Sequence, residues 1–488
     1  MYIGIDAGTS GIKAVLVDEA QTVLATRTEP LTSQSPHAGW SEQDPEAWWR
    51  ALLAAIDALR DSHPRAVAAV RGIGLSGQQH GAVLLDGGGR VLRPCILWND
   101  VRASAECAVF EQRFPESRAV TGNIAMPGFT APKLLWVARH EPDIFRATRH
   151  VLLPKAWLRY RLTGEMIEEM SDASGTLWLD VGRRQWSEAA LAATGLSRAA
   201  MPALCEGTDR AGTLRGDLAE RWGMDVPPVL AGGAGDNAAG AVGLGAVRPG
   251  DAFVSLGTSG VVWATTDRFR PGAVSAIHAF CHAVPGMWHQ MGVTLSAASS
   301  LAWWASVAGR SEAELLAELP EVIERPSGLL FLPYLSGERT PHNDAAIRGA
   351  FVGLDRGTTR ARMTQAVLEG VAFSLRDALD GLAGAGSVLA QADVIGGGSR
   401  SLAWLTILAA VMGIRLHRLA HGEQGGAFGA ARLARLAVTG EAVAELCLPP
   451  ERVGTVDPDA GLQAAYGALL PRYRALYPAL SDLPPPAP

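Results

Sequence analysis

A carboxylate and a glycine-rich turn stand side by side near the start of the chain. Asp6 ends an apolar run, and the tetrapeptide Gly-Thr-Ser-Gly at residues 8–11 follows before a second apolar run begins. Glycine lets backbone N–H groups approach phosphate oxygens, because no side chain intervenes. A carboxylate beside that turn can hold a hydrated Mg²⁺ ion against the phosphates. The pattern indicates phosphate and metal chemistry, with an ordinary glycine-rich turn as the alternative.

The runs on both sides of this turn predict strands, since they are apolar and rich in β-branched residues. A Walker phosphate loop would instead need Gly-Lys-Ser/Thr at the start of a helix, and Lys13 lies inside the second strand pattern. We therefore predict a β-hairpin whose tip binds nucleotide phosphates. Thr9, Ser10 and Lys13 are its candidate nucleotide-binding residues, and Asp6 is the candidate metal ligand.

The same Gly-Thr-Ser-Gly tetrapeptide recurs about half a chain later, at residues 257–260. It again separates a β-type run from an apolar run, which predicts a second hairpin and hence two domains of related build. Each tip would face one nucleotide in the cleft between the domains, with Gly257, Thr258 and Ser259 as the second set of candidates. Ser255 stands where Asp6 stands in the first copy, so we expect only the first half to bring the metal.

A third glycine-rich turn, at residues 396–398, follows a predicted strand at residues 392–395. A Rossmann nucleotide fold is one interpretation, but the GxGxxG pattern is not completed and no acidic residue ends a following strand. With two hairpin tips already in hand, we interpret this turn as a loop that cradles adenosine. Gly397 and Gly398 are its candidate binding residues.

The candidate for acid–base chemistry lies on another turn. A predicted strand ends at Val229 and Leu230, a glycine-rich bend follows, and Asp236 and Asn237 precede a run of small residues that predicts a closely packed helix. An aspartate at a helix N-terminus is rigidly aimed and can accept a proton from a hydroxyl. The ordinary alternative is a helix N-cap, and that role is compatible with the role of a base.

Two more predicted strands, at residues 70–75 and 95–98, end in polar residues that suit a polyol. Ligands bind at loops beyond the strand ends of a sheet. An aromatic face covers the C–H surface of a sugar, while charged groups orient its hydroxyls. A structural histidine at position 80 and a salt-bridged turn at residues 100–102 are the open alternatives. The candidates are Gln79, His80, Trp98, Asp100 and Arg102.

The composition describes a globular protein of about two to four domains. Of its 488 residues, 48% are hydrophobic, which is ample for sizeable cores. The net charge of −6 comes without a Lys/Arg cluster, which argues against nucleic acid or an anionic membrane as partner. The five scattered cysteines indicate neither a disulfide framework nor a zinc site. No signal-peptide or membrane-spanning pattern is evident, so we expect a cytoplasmic protein with a disordered tail at residues 481–488.

Taken together, these motifs resemble the FGGY carbohydrate kinases over nearly the whole chain. The run at residues 128–140 meets the first signature of that family, with Thr130, Lys133 and Trp136 at its fixed positions. The second signature, from residue 349, fits less closely because Arg362 stands where the family prefers an acidic, amide or His residue. Gln79 also departs from the family pattern, beside the sugar pocket. Other matching stretches are YIGIDAGTSGIKAVLVD, SGQQHG, RPCILWND, MSDASGTLWLD, GDNAAGAVG, VSLGTSGV, FLPYLSGERTPHND and VIGGGSRS.

The resemblance implies an α/β fold with two actin-like (ribonuclease H-like) ATPase domains and a cleft between them. Residues 1–245 would bind the sugar and the phosphates, and residues 246–480 would bind the nucleotide. The resemblance also implies that Asp236 is the general base, that Asp6 holds Mg²⁺, and that His80, Asn237 and Gln79 hold the sugar.

The reaction implied by the resemblance is phosphorylation of D-xylulose by ATP to give D-xylulose 5-phosphate. Kinases of ribulose, fuculose, gluconate or glycerol are alternatives within the family. A non-catalytic actin-like ATPase and a sugar sensor are alternatives from other functional classes. The expected partners are therefore a small sugar and ATP, and a homodimer is compatible with the sequence.

Overall fold

The structure is a computed structural model that describes residues 1–420 and 425–483. Most of the predicted tail, residues 484–488, lies outside the described residues, and the last described helix ends at Ser481. Two seven-stranded mixed sheets organise the chain. The strands of the first sheet are Tyr2–Ala7 (β1), Gly11–Val17 (β2), Val23–Pro30 (β3), Gly72–Gly77 (β4), Arg210–Thr213 (β5), Val229–Ala231 (β6) and Ala234–Gly235 (β7). Those of the second sheet are Ala252–Leu256 (β8), Gly260–Thr266 (β9), His278–Cys281 (β10), Trp288–Thr294 (β11), Gln391–Ile395 (β12), Arg415–Leu419 (β13) and Arg452–Val456 (β14).

The two sheets share one strand order. In the first, β3, β2 and β1 are antiparallel neighbours, and β4 and β6 continue the sheet in parallel with β1. In the second, β11, β9 and β8 are antiparallel neighbours, and β12 and β13 continue in parallel with β8. Both predicted hairpins, β1–β2 and β8–β9, are therefore confirmed, as is the α/β class.

Helices cover both sheets, and ten of those described have eight or more residues. They are Pro45–Ser62 (α1), Ser104–Arg113 (α2), Thr130–His140 (α3), Pro154–Thr163 (α4), Asp236–Leu244 (α5), Ala298–Ala308 (α6), Arg360–Gly384 (α7), Leu402–Met412 (α8), Gly426–Thr439 (α9) and Ala460–Arg474 (α10). Shorter helices are Pro64–Ala68, Ser117–Thr121, Pro142–Ala147, Met170–Ser174, Glu188–Ala193, Arg198–Ala200, Gly216–Trp222, Ala273–Ser275, Glu312–Ala317, Gly397–Arg400, Val443–Leu446 and Leu476–Ser481. Short strands outside the two sheets are Glu42–Gln43, Val83–Leu85, Cys95–Ile96, His150–Leu152, Ile167–Glu169, Leu179–Asp180, Gln185–Trp186, Ala203–Cys205, Leu330–Leu332 and Ala350–Val352. Within the described ranges, no helix is long and apolar enough to cross a membrane.

Helix α9 comes from the second half of the chain but packs on the first sheet. Its backbone lies so close to β1 and β4 that a side chain on either strand would collide with it. A Cβ at Gly4 would lie 1.8 Å from the carbonyl oxygen of Ala427, and a Cβ at Gly74 would lie 1.9 Å from that of Ala430. Glycine is therefore required at both positions, because only a bare backbone permits this approach. The predicted division at residue 245 separates the two sheets, and α9 crosses it.

Candidate active site

Two carboxylates flank the end of strand β4. Asp6 of β1 lies opposite Ser76 on one side, and Ala234 of β7, two residues before Asp236, lies opposite Ser76 on the other. The Ser76 hydroxyl donates a hydrogen bond to Asp6 Oδ1 at 2.7 Å, and Lys13 faces Asp6 across the hairpin. Burial raises the pKa of Asp6, against the opposing effects of Ser76 and Lys13. The sheet topology thus brings the predicted metal ligand and the predicted base to one edge.

Asp236 is the first residue of α5, and Gly235 occupies the N-cap position without a side-chain cap. The ordinary N-cap interpretation of Asp236 is therefore wrong. Its Oδ1 accepts hydrogen bonds from Asn237 N at 2.7 Å and Asn237 Nδ2 at 2.9 Å, while Oδ2 bonds to none of the described residues. Burial, reinforced by the negative charge of Asp6, raises the pKa of Asp236 from its ordinary 3.8 to about 7. One carboxylate oxygen is thus fixed and the other is available to take a proton near neutral pH.

Gln79 lies against the Asp236 turn. Its Nε2 donates to the carbonyl oxygen of Ser171 at 3.1 Å, and a Cβ at Gly235 would lie 2.6 Å from that Nε2. The Ser171 hydroxyl in turn accepts a hydrogen bond from Gly235 N at 3.0 Å. Gln79 itself is only 6% exposed. The structure therefore places Gln79 where it supports the turn that carries the candidate base.

His80 is held in a left-handed conformation, with φ 71°, by contacts from two directions. Its Nδ1 lies 2.7 Å from the carbonyl oxygen of Gly175, so Nδ1 carries the proton and Nε2 is the acceptor. Burial lowers the pKa of His80 to about 3, which keeps the ring neutral. The carbonyl oxygen of His80 accepts from Thr130 Oγ1 at 3.1 Å and from Lys133 Nζ at 2.9 Å. Two residues of the 128–140 signature therefore position this loop.

Asp100 and Arg102 form the salt-bridged turn that was the alternative interpretation. The Asp100 carboxylate, fully buried, accepts from Ser41 N at 2.6 Å and pairs with Arg102 at 2.7 Å. The Arg102 side chain is 1% exposed, pairs with Glu42 at 2.7 Å and stacks 3.6 Å over the Trp40 ring. Because these groups are committed to one another, the structure does not support direct sugar binding by either side chain.

Trp98 has the position that the sequence predicts for a sugar-covering ring, although the strand before it is shorter than expected. The strand ends at Ile96, because its partner Glu42–Gln43 is only two residues long. Trp98 is 38% exposed and its Nε1 donates to Thr9 Oγ1 at 3.0 Å. Thr9 Oγ1 donates in turn to Gln78 Oε1 at 3.0 Å. The Thr9 hydroxyl therefore connects the Trp98 ring and the first hairpin tip to the loop that carries His80.

A cavity of about 570 Å³ opens beside His80 and Trp98, between the two halves of the chain. The first half supplies an apolar wall from residues 125–129. Residues 98–101 border the same cavity. The second half supplies Leu295, Ser336, Glu338, Arg339, Asn343 and Ala345. His80 borders the cavity and Asp236 does not.

The second hairpin tip and the triple-glycine turn lie next to each other. Ser255 of β8 pairs with Ile395 of β12, and a Cβ at Gly396 would lie 3.1 Å from the backbone nitrogen of Gly257. The carbonyl oxygen of Thr258 accepts hydrogen bonds from the start of α6, and Ser259 is exposed. The structure thus brings together the candidates 257–259, 397 and 398.

Three buried carboxylates, those of Glu168, Glu169 and Asp172, lie close enough to hold a metal ion. The Lys155 ammonium already occupies their centre, at 2.7 Å from Glu168 and 3.4 Å from each of the other two. The ammonium contacts all three carboxylates, and burial raises the pKa of Asp172 well above its ordinary value, which reduces the negative charge of the cluster. We interpret it as a structural ion cluster that supports the Ser171 region.

Sequence reasoning missed the contribution of α9 to this site. A Cβ at Gly426 would lie 2.6 Å from Ser76 Oγ and 3.0 Å from Asp6 Oδ1, so the first turn of α9 abuts the metal-ligand candidate. The signal was available, because the small-residue run that begins at Gly425 resembles the run that follows Asp236. The two runs form helices that pack against each other, with a Cβ at Gly429 lying 1.8 Å from the Ala239 carbonyl oxygen.

Comparison with known proteins gives one consistent family. Residues 1–243 match the N-terminal domain of the FGGY family of carbohydrate kinases, and residues 252–438 match its C-terminal domain. The chain is 50% identical to a xylulose kinase of Escherichia coli strain K12, over 99% of this chain and 100% of that protein.

Solved structures with the same two-domain architecture agree with this result. A crystal structure of a xyloylose kinase from Brucella ovis superimposes with a TM-score of 0.96 at 53% identity, covering 99% of this chain and 100% of that chain. A xylulose kinase from Rhodospirillum rubrum superimposes with a TM-score of 0.90 at 29% identity, covering 98% of both chains. The expected actin-like two-domain fold is therefore confirmed.

Proposed function

Since the chain belongs to the FGGY family of carbohydrate kinases, we propose that it transfers the γ-phosphoryl group of ATP to D-xylulose and forms D-xylulose 5-phosphate. The xylulose kinases that it resembles at 50% and 53% identity support this substrate. Residues 1–245, completed by α9, would hold the sugar and the phosphates. Residues 246–480 would hold the nucleotide through the second tip and the triple-glycine turn.

The observation that carries the proposal is the state of Asp236. One oxygen is fixed by Asn237, the other is free of hydrogen bonds to the described residues, and the pKa lies near 7. A carboxylate with such a pKa is a competent base at neutral pH, because about half of it is ionised at pH 7 and it still accepts a proton readily. Its turn lies against Gln79, the neighbour of His80 in the chain, and this position is suited to a sugar hydroxyl.

In the proposed reaction, Asp236 takes the proton of the terminal hydroxyl as that oxygen bonds to the γ-phosphorus. The bond from the γ-phosphorus to the bridging oxygen breaks, ADP leaves, and the proton on Asp236 is later released to solvent. His80 Nε2 accepts a hydrogen bond from another sugar hydroxyl, since Nδ1 is committed to Gly175. Phosphoryl transfer needs mainly positioning and charge stabilisation. Asp236 and His80 would supply the positioning and the proton acceptor that the protein must contribute.

The residues around Asp6 fit a Mg²⁺ ion. Asp6 Oδ2 makes no hydrogen bond to any described residue, and Asp236 presents a second carboxylate close enough to interact electrostatically. Hard carboxylate oxygens of this kind are the ligands that Mg²⁺ prefers, usually with several waters retained. When bound, the ion would neutralise charge on the phosphates of ATP. Asp6 would hold it, and Lys13 would balance the remaining negative charge.

A substrate panel tests the proposal. The purified protein is incubated with ATP, Mg²⁺ and either D-xylulose, ribulose, fuculose, gluconate or glycerol, and ADP release is followed by a coupled assay. We expect the highest kcat/KM on D-xylulose and little ADP release without a sugar. A higher value on another substrate would contradict the xylulose assignment. Sugar-independent ATP hydrolysis would favour an actin-like ATPase, and xylulose binding without turnover would favour a sensor.

A further inference from the structure

We propose that Arg339, from the second half of the chain, binds the keto end of the sugar and completes the sugar site across the cleft. The inference rests on the proposed function and adds a substrate-specificity residue to it. Arg339 lines the 570 Å³ cavity together with His80 and Trp98, which belong to the other half of the chain. The sugar site would then be built from both halves, with the base at one end and a guanidinium at the other.

The guanidinium of Arg339 has no partner of its own among the described residues. It donates no hydrogen bond there, and no carboxylate lies within ion-pair distance. By contrast, Arg102 near the same cavity pairs with Asp100 at 2.7 Å, and Arg93 pairs with Glu42 at 2.5 Å. Burial lowers the pKa of Arg339, although an arginine stays charged at any pH of interest. A partly buried cation without an ion pair loses some hydration and gains no protein acceptor in return, which points to a ligand that supplies the acceptors.

The backbone that carries Arg339 is held rigidly. Glu338, 1% exposed, accepts hydrogen bonds from Arg339 N at 2.7 Å and from Leu295 N at 2.8 Å. Thr340 is tied to Val293 of β11 by a backbone bond at 3.0 Å and by its hydroxyl at 3.0 Å. Oε1 of Glu338 is therefore held by two backbone N–H groups, and the Glu338 charge acts on the Arg339 guanidinium without forming an ion pair with it. This arrangement fixes the backbone of a cation that lines the cavity.

The chemistry of a ketose suits this cation. Guanidinium groups only donate hydrogen bonds, and a carbonyl oxygen only accepts them. His80 Nε2, on the opposite wall, is an acceptor and matches a hydroxyl proton. If the terminal hydroxyl lies at Asp236, the carbonyl and its adjacent hydroxyl would occupy the cavity that His80 and Arg339 both line. Arg339 would donate to both oxygens of that end in a bidentate contact.

The test compares Arg339→Gln and Arg339→Lys with the wild-type enzyme. We expect Arg339→Gln to raise the KM for D-xylulose by about 10-fold or more, because a hydrogen bond from a charged group is lost. The KM for ATP should stay within about twofold of wild type. Arg339→Lys, which keeps the charge but not the fork, should give an intermediate value. The matched control is Arg356→Gln, an exposed arginine of the same half, which should change neither KM.

Competition by xylitol separates a role at the carbonyl from a general effect on the pocket. Xylitol carries a hydroxyl in place of the carbonyl, so Arg339→Gln should weaken xylitol inhibition less than it weakens D-xylulose binding. Equal losses for both compounds would contradict the carbonyl contact, and a D-xylulose KM within threefold of wild type would overturn the inference. Thermal unfolding checks that each variant is folded. If Arg339→Gln is unfolded, the comparison is made with Arg339→Lys instead. If another sugar proves to be the substrate, the proposed function fails, and the same variants are then assayed on that sugar.

Discussion

The two hairpin tips carry the same tetrapeptide and occupy the same place in their sheets, yet their surroundings differ in charge. At the first tip, Asp6 pairs across the hairpin with Lys13 and along the sheet with Ser76. At the second tip, the equivalent Ser255 pairs with Val261 and Ile395. The repeated hairpin supplies backbone donors in both halves. Only the first tip also has charged groups, Asp6 and Lys13, on the strands that flank it.

The two tips are also held differently. The hydroxyl of Thr9 bonds to Gln78 and receives a bond from Trp98, so the first tip is tied to the sugar side of the cleft. The carbonyl oxygen of Thr258 accepts from Ala297 N at 3.0 Å and from Ser299 Oγ at 2.7 Å, so the second tip is tied to α6. One tip is thus coupled to the sugar loops and the other to its own domain. Substitutions at the two tips should therefore have different kinetic signatures.

The largest effect is expected from Asp236→Asn, which removes the base beside the first tip. We expect kcat to fall by about 10²- to 10⁴-fold, the usual contribution of a general base. The Oδ1 bond to Asn237 N can be kept by the amide, so binding of D-xylulose by calorimetry should stay near wild type. Asp217→Asn, an exposed aspartate that pairs with Arg215, is the control. A fall in kcat of less than about threefold would exclude Asp236 as the base.

Asp6→Asn should have the next largest effect. Loss of the metal-holding carboxylate should lower Mg²⁺-dependent turnover by roughly 100-fold, since metal stabilisation of phosphate charge is worth several kcal/mol. The affinity for D-xylulose should not change, because Asp6 faces Ser76 and Lys13, not the sugar loops. Ser255→Asp places a carboxylate at the second tip and should not restore turnover to Asp6→Asn. Restored turnover would mean that the two tips are equivalent.

Gly257→Val tests the second tip alone. A Cβ there would meet only Ser259 O at 3.6 Å and the Ser255 hydroxyl at 4.0 Å, so the fold can accommodate a side chain. The branched side chain should instead obstruct phosphate, and we expect the KM for ATP to rise about 10-fold through loss of a charged hydrogen bond. The KM for D-xylulose should stay within about twofold. An unchanged KM for ATP would mean that this tip is only a turn.

The smallest expected effect is a shift of the pH profile. Only ionised Asp236 can accept a proton, so kcat/KM should rise with pH and reach half its plateau near pH 7. Asp6 contributes to the raised pKa of Asp236, so Asp6→Asn should move the rise of kcat/KM to lower pH. If the pH of this rise does not change, the two carboxylates are not coupled.

Stability should depend on pH in the opposite sense to activity. Because the folded-state pKa of Asp236 is raised from 3.8, its neutral form stabilises the fold fully below pH 3.8, and this contribution is lost as the pH rises through 7. Asp236→Asn imitates the neutral form. Measured without Mg²⁺, its Tm advantage over wild type should therefore grow between pH 4 and pH 8.

Sequence patterns predicted the hairpins and the turn that carries Asp236, because a few adjacent residues determine each of them. Interactions between distant residues were not predictable in this way. Arg102 is turned away from the sugar by Glu42, a residue 60 positions earlier, and nothing near Arg102 indicates that pairing. The significance of Arg339 lies in a missing partner, which is a property of the folded chain. Helix α9 likewise belongs to the first sheet only because Gly4 and Gly74 leave room for it.

The position of α9 also has a consequence for how the chain is made. Synthesis runs from the N-terminal towards the C-terminal end of a chain, so the first sheet emerges from the ribosome long before the helix that covers one of its faces. Val15 and Val17 of β2 are buried against Ala427, Phe428 and Ala431, and they have no such partners while the chain is still short. We expect the first sheet of the nascent chain to expose an apolar face until residue 439 has left the exit tunnel. During that time the first half of the chain should be sensitive to protease and suited to chaperone binding.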